Sequence, residues 1–107
     1  MINITAEEVK KRLDAGEPLH LIDVREPNEN AEYNIGGILL PLGKVQSMQI
    51  EEIEDLKNEE LIFYCRSGSR SMMAATFLEQ LGFSNTKNLT GGMLGWQEKY
   101  SQPLKGS

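Results

Sequence analysis

A chain of 107 residues, 39% hydrophobic and 25% charged, has the size and balance of one soluble globular domain. Its net charge of −5 argues against a general nucleic-acid binder, which needs surplus Lys and Arg to neutralise phosphates. One cysteine, Cys65, excludes an internal disulfide, and with one histidine, His20, it leaves no ligand set for a structural zinc.

The expectation is a single domain over residues 1–107 with no metal, no cofactor, and neither nucleic acid nor membrane as a partner. The opening MINITAEEVKKRL lacks the apolar core of a signal peptide, and no apolar run approaches the ~18 residues of a membrane helix. Cytoplasmic localisation is the expectation that follows.

Short apolar runs alternate with helix-like stretches, the pattern of an α/β domain built on a mostly parallel sheet. Ile2 to Ile4 predicts a short strand. Thr5 and Glu8 have capping-box spacing ahead of a helix to about Ala15, with Gly16 as its stop. Leu19 to Val24 (LHLIDV) reads as a buried strand, and one helical turn is expected after Pro27. Gly36-Gly37 breaks the chain before a second short strand, Ile38 to Leu40, ended by Pro41. Ser47 to Leu56 suits a helix with Met48, Ile53 and Leu56 inward. Leu61 to Tyr64 is the next strand. Ser69 to Leu81 is the most regular helix, with Met73, Phe77 and Leu81 on one stripe and Gly82 beyond its end. Asn85 to Leu89 is the fifth strand and Met93 to Tyr100 the last helix. The tail SQPLKGS, residues 101–107, is expected to fray.

The stretch LIFYCRSGSRS, residues 61–71, carries the chemistry. Strand, turn and helix would put Cys65 at the carboxyl end of a parallel strand, where open α/β sheets hold their ligands. Gly68 and the small Ser67 and Ser69 allow a tight curl whose amides face inward, a nest for anions. The helix starting near Ser69 adds about half a positive charge at its N-terminus, and Arg66 and Arg70 add full charges. Each favours thiolate over thiol. Such settings lower a cysteine from ~8.5 to about 3.5–7.5. A cysteine after LIFY suits an inert core thiol when taken alone. The RSGSR that follows tips the balance, because an inert thiol needs neither amides nor guanidiniums.

C-R-S-G-S-R-S after LIFY resembles the active-site loop of rhodanese-homology domains. Three further segments resemble that family in order: LIDVRE (Leu21 to Glu26), AEYNIGGILLPL, and NLTGGMLGW. The resemblance implies a rhodanese-like fold, a five-stranded sheet flanked by helices on both faces. It also implies sulfurtransferase chemistry. Cys65 would take the outer sulfur of thiosulfate or another small anionic donor as a persulfide. A thiophilic acceptor, cyanide or a thiol including a protein thiol, would then remove it. The amides from Arg66 to Arg70 would hold the persulfide and its charge. The spacing from Cys65 to Arg70 is C-x4-R, whereas phosphatases and arsenate reductases of related fold use C-x5-R, a ring with room for a tetrahedral oxyanion. Asn34 departs from the family, which usually has His there.

Beside the loop, Asp23 and Arg25 carry two readings: Asp23 orients Arg70 while Arg25 borders the pocket, or the two form an internal ion pair, which the residues favour. Glu26 suits a cap at Pro27. His20 reads as a core or edge histidine. Met93 and Trp96 read as core, with Gly91 and Gly92 able to let their loop approach the pocket. The acidic stretch from Ile50 to Glu60 reads as a solvated face, with a docking surface for a basic partner as its alternative. Two other functions stay open beside sulfur transfer: a sulfur-carrying or docking module of the same fold, and a phosphatase or arsenate reductase.

Overall fold

The computed structural model describes residues 1–100; the expected tail, 101–107, lies outside the described residues. Five strands form one sheet: β1 (Ile2–Ile4), β2 (His20–Asp23), β3 (Ile38–Leu39), β4 (Glu60–Tyr64) and β5 (Asn85–Leu89). Their order is β1-β5-β4-β2-β3 and every pairing is parallel. All five carboxyl ends therefore point the same way, and the central strand, β4, opens between β5 and β2.

Strand parity sorts the core into two layers. Leu61, Phe63 and Cys65 pack on one face of the sheet with Ile22, Val24, Ala74, Ala75 and Leu78. Ile62 and Tyr64 pack on the other with Val9, Leu21, Met93 and Trp96. Because side chains alternate along a strand, Cys65 falls on the same face as Phe63. That face carries α3 (Leu42–Gln46) and α4 (Ser69–Gln80); the opposite face carries α1 (Ala6–Asp14) and α5 (Gly92–Tyr100). A parallel sheet covered on both sides reads as continuous apolar runs, as LIFY does.

Local chemistry explains most element ends. The Thr5 hydroxyl accepts from the Glu8 amide at 3.1 Å and starts α1. Gly16 follows that helix with φ +81°, a conformation that costs other residues about 1–2 kcal/mol. Pro27 opens α2 (Pro27–Glu32), and the Glu26 amide donates to the Glu29 carboxylate at 2.9 Å.

Two expected elements differ. The stretch from Ser47 to Leu56, expected as one helix, is instead a break followed by a 3-10 helix at Glu51–Leu56, and the unexpected α3 precedes it at Leu42–Gln46. Met48 sits in the break with φ +65°, half exposed, so it is not an inward residue; Ile53 alone of the three is wholly buried. The expected stripe divides: Met73 is 51% exposed and Leu81, just past the end of α4, 37%, while Phe77 packs partly buried against the core. The face on the sheet is Ser71, Ala74, Ala75 and Leu78. These lie at the same helical spacing, and their small side chains let the helix axis settle close to β4 and β5.

Candidate active site

β4 ends at Tyr64, and the next four residues, Cys65 to Gly68, curl round the sulfur of Cys65 before α4 takes over. The Gly68 amide donates to Cys65 Sγ at 3.1 Å, the Ser71 amide at 3.4 Å and the Ser71 hydroxyl at 3.4 Å. Gly68 has φ +110°, which turns the loop so that its amide faces the sulfur. Burial pushes the thiol up, but the Ser71 hydroxyl and the amides of Ser71, Gly68 and Ser67 outweigh it, so the net direction is down. Of the amides expected to face the sulfur, those of Gly68 and Ser67 act on it, and the rest of the nest is supplied by Ser71, which the loop reading left unassigned although it directly follows Arg70.

The underside of this loop rests on the start of α5. Met93 N donates to Cys65 O at 2.8 Å and Leu94 N to Arg66 O at 2.9 Å. Only glycine fits at residue 92, where an added Cβ would stand 2.5 Å from Cys65 O. The approach allowed by Gly91-Gly92 is therefore real. Trp96 is core, edge-on to Tyr100 with ring centroids 5.1 Å apart. Met93 is buried as well, yet it also borders the cavity beside the loop.

That cavity, of about 200 Å³, is lined by Arg25, Glu29, Glu32, Tyr33, Arg66, Met93, Leu94 and Gln97. Arg66 is exposed at its edge, and its guanidinium has no hydrogen bond or ion pair among the described residues. Ser69 is exposed at the first position of α4. A second hollow, of about 480 Å³, adjoins Ser67, Gly68 and Ser69 and continues past Met72, Met73 and Asn88; none of its lining residues is charged.

Arg70 is held by Glu29. Its guanidinium donates to both oxygens of Glu29, at 2.9 and 3.0 Å. Asp23 does not orient it. Asp23 instead accepts from the Arg25 Nε and NH2 groups, each at 2.9 Å, from the Arg25 amide at 3.0 Å, and from Asn30 at 2.9 Å. The internal ion pair is the reading the geometry supports, and Arg25 borders the cavity while paired. The reason is reach: Asp23 and Arg25 are two residues apart at one strand end, whereas α2 brings Glu29 to Arg70 across 41 residues. Nothing local in the sequence marks Glu29. Arg70 in turn pulls the Glu29 carboxyl down to about 2.

Asn34 is turned to its own loop, donating to Asn30 O and accepting from the Gly36 amide, both at 2.9 Å. His20 lies at the opposite end of β2, near Arg12, Glu17 and Glu60, too far along the strand to serve Cys65. Tyr64 carries the Arg25 guanidinium 5.7 Å above its ring centre, and burial pushes its phenol up to about 12.

The family model of the rhodanese-like domain matches residues 5–99. The chain belongs to the rhodanese-like domain family. A protein of Allochromatium vinosum named sulfurtransferase is 37% identical over 98 residues, covering 90% of this chain and 89% of its own. The human thiosulfate:glutathione sulfurtransferase is 30% identical over 110 residues, covering 92% and 95%. Among solved structures, a rhodanese-like domain protein from Staphylococcus aureus superposes with TM-score 0.78 at 31% identity, over 90% of this chain and 91% of that one. These likenesses place the chain among rhodanese-type sulfurtransferases. No helix among the described residues is long and apolar enough to cross a membrane.

Proposed function

We propose that this rhodanese-like domain, taken as one unit over residues 1–107, carries sulfane sulfur on Cys65 from a small anionic donor to a thiophilic acceptor. The convergence of the Gly68 amide, the Ser71 amide and the Ser71 hydroxyl on one sulfur carries the reading. Three donors around a buried sulfur stabilise charge there, in the thiolate and again in the thiolate that leaves a spent persulfide.

With thiosulfate the Cys65 thiolate attacks the outer sulfur. A new S–S bond forms, the S–S bond of thiosulfate breaks, and sulfite leaves with the electron pair. An acceptor thiolate or cyanide then attacks the outer sulfur of the persulfide, and Cys65 leaves as thiolate. No net oxidant or reductant is needed. The human relative named for thiosulfate and glutathione supports this donor and a thiol acceptor. Arg66, unpaired at the edge of the cavity, supplies the free cation for the donor, while Glu29 neutralises Arg70. The reduced thiol this cycle depends on suits a reducing compartment such as the cytoplasm.

Cys65 has no exposed surface, so the segment Arg66 to Ser69 must shift to admit a donor. Small loops with glycine make such local openings at low cost. The deciding experiment is an intact mass after incubation with thiosulfate. A gain of one sulfur that Cys65→Ala abolishes is expected; no gain, or a gain that survives Cys65→Ala, overturns the reading.

A further inference from the structure

Ser71 carries one hydroxyl proton and has three acceptors in reach: Cys65 Sγ at 3.4 Å, Gly68 O at 3.2 Å and Asn88 Oδ1 at 2.5 Å. Ser71 is wholly buried and Asn88 nearly so, which keeps water from supplying a substitute partner. The proton can satisfy one good acceptor at a time. Asn88 is fixed in place on β5, registered between Asn3 of β1 and Phe63 of β4, and its Nδ2 donates to Asn3 Oδ1 at 3.2 Å. Its carbonyl oxygen is therefore aimed at Ser71 by the sheet and not by chance rotation.

We propose that Asn88 is a positioning residue that sets the reactivity of Cys65 by competing for the Ser71 hydroxyl proton. When the sulfur is protonated, Ser71 donates to Asn88. When the sulfur ionises, a charge-assisted bond becomes available and the hydroxyl turns toward it. Breaking the Ser71–Asn88 bond opposes ionisation, so Asn88 keeps the thiol less acidic than the loop alone would make it. Sulfur exchange benefits from this restraint, since a thiolate of very low basicity attacks a sulfur donor slowly. The inference rests on Cys65 as the sulfur-carrying thiol and describes how that thiol is tuned.

The test is the rate of Cys65 alkylation by iodoacetamide as a function of pH, in which the S–C bond forms and iodide leaves. Ser71→Ala should move the profile to higher pH, with a rate about tenfold lower on its rising limb. Asn88→Leu, which keeps the branched shape and removes the acceptor, should move it to lower pH, with a rate several-fold higher there. Asn88→Ala should do the same and covers the case in which leucine does not fit. The double variant Ser71→Ala/Asn88→Leu should match Ser71→Ala alone, because no proton is left to contest. Asn88 variants that shift the profile upward or leave it in place overturn the inference, as does a double variant that still responds to residue 88. Thiosulfate loading followed in the same samples separates the two readings. Opposed alkylation shifts without any sulfur gain would sink the transferase proposal and leave this one standing.

Discussion

The Arg70 guanidinium and the Glu29 carboxylate form two parallel hydrogen bonds, at 2.9 and 3.0 Å, joining the first turn of α4 to α2. Glu29 also accepts from the Glu26 amide, so one carboxylate ties the thiol loop's last arginine to the start of α2. Its pKa is depressed from 4.5 to about 2, chiefly by the Arg70 hydrogen bonds. A depressed folded-state pKa means stability that is complete above pH 4.5 and is lost as pH falls toward 2. Glu29→Gln is expected to lower stability by about 1–2 kcal/mol at neutral pH, since the pair is only partly buried. Urea melts should show that difference fading near pH 2; a constant difference across pH would contradict the ion pair.

The Gly92 backbone sits against Cys65 O, and an added methyl would meet backbone with no room to yield. Gly92→Ala should cost about 2–4 kcal/mol and slow Cys65 alkylation by displacing the loop. Gly68→Ala has space for its methyl but must hold φ +110°, so about 1–2 kcal/mol is expected. Gly82→Ala is the control: φ +100° with open space, a similar backbone cost, and no change at the thiol. Melting temperatures paired with alkylation rates check the ranking.

Arg66 has a free guanidinium at the edge of the cavity, whereas Arg70 and Arg25 are paired. Arg66→Ala should raise KM for thiosulfate about fivefold, with kcat nearly unchanged, a loss of roughly 1 kcal/mol in donor binding. The effect should shrink as salt screens the pair. A fall confined to kcat would place Arg66 in the transfer step instead.

Asp23 and Arg25 are both buried, and Asp23 accepts four hydrogen bonds. Asp23→Ala strands the Arg25 charge and should cost about 3–5 kcal/mol. Asp23→Leu combined with Arg25→Met removes both charges and should cost clearly less in chemical denaturation. If the double replacement is no better than Asp23→Ala, the pair contributes more than mutual neutralisation.

Much of the fold was legible in residue order. LHLIDV and LIFY are apolar runs bounded by turn residues, and they became neighbouring parallel strands. The glycines at 16, 36, 37 and 82 all occupy positive φ where turns were expected. The stripe expected on α4 is present in part: Phe77 packs against the core, but Met73 and Leu81 are exposed. Both the Met73-Phe77-Leu81 and the Ser71-Ala74-Ala75-Leu78 sets obey helical spacing. The close approach of helix to sheet selects the smaller set for full burial and leaves Phe77 at its margin.

The site divides the same way. From the amino-acid order alone came the candidate thiol, the tight loop and the direction in which its charge environment acts, because all of these are local: a strand end, a glycine, adjacent amides and a helix start. Tertiary structure decided who holds whom. Glu29 rather than Asp23 takes Arg70, and Asn88 meets Ser71 from a neighbouring strand, while Gly92 becomes the seat of the thiol loop. Such pairings join residues 17 to 41 positions apart in sequence, and only the packing of α2, β5 and α5 around the end of β4 brings their atoms into contact.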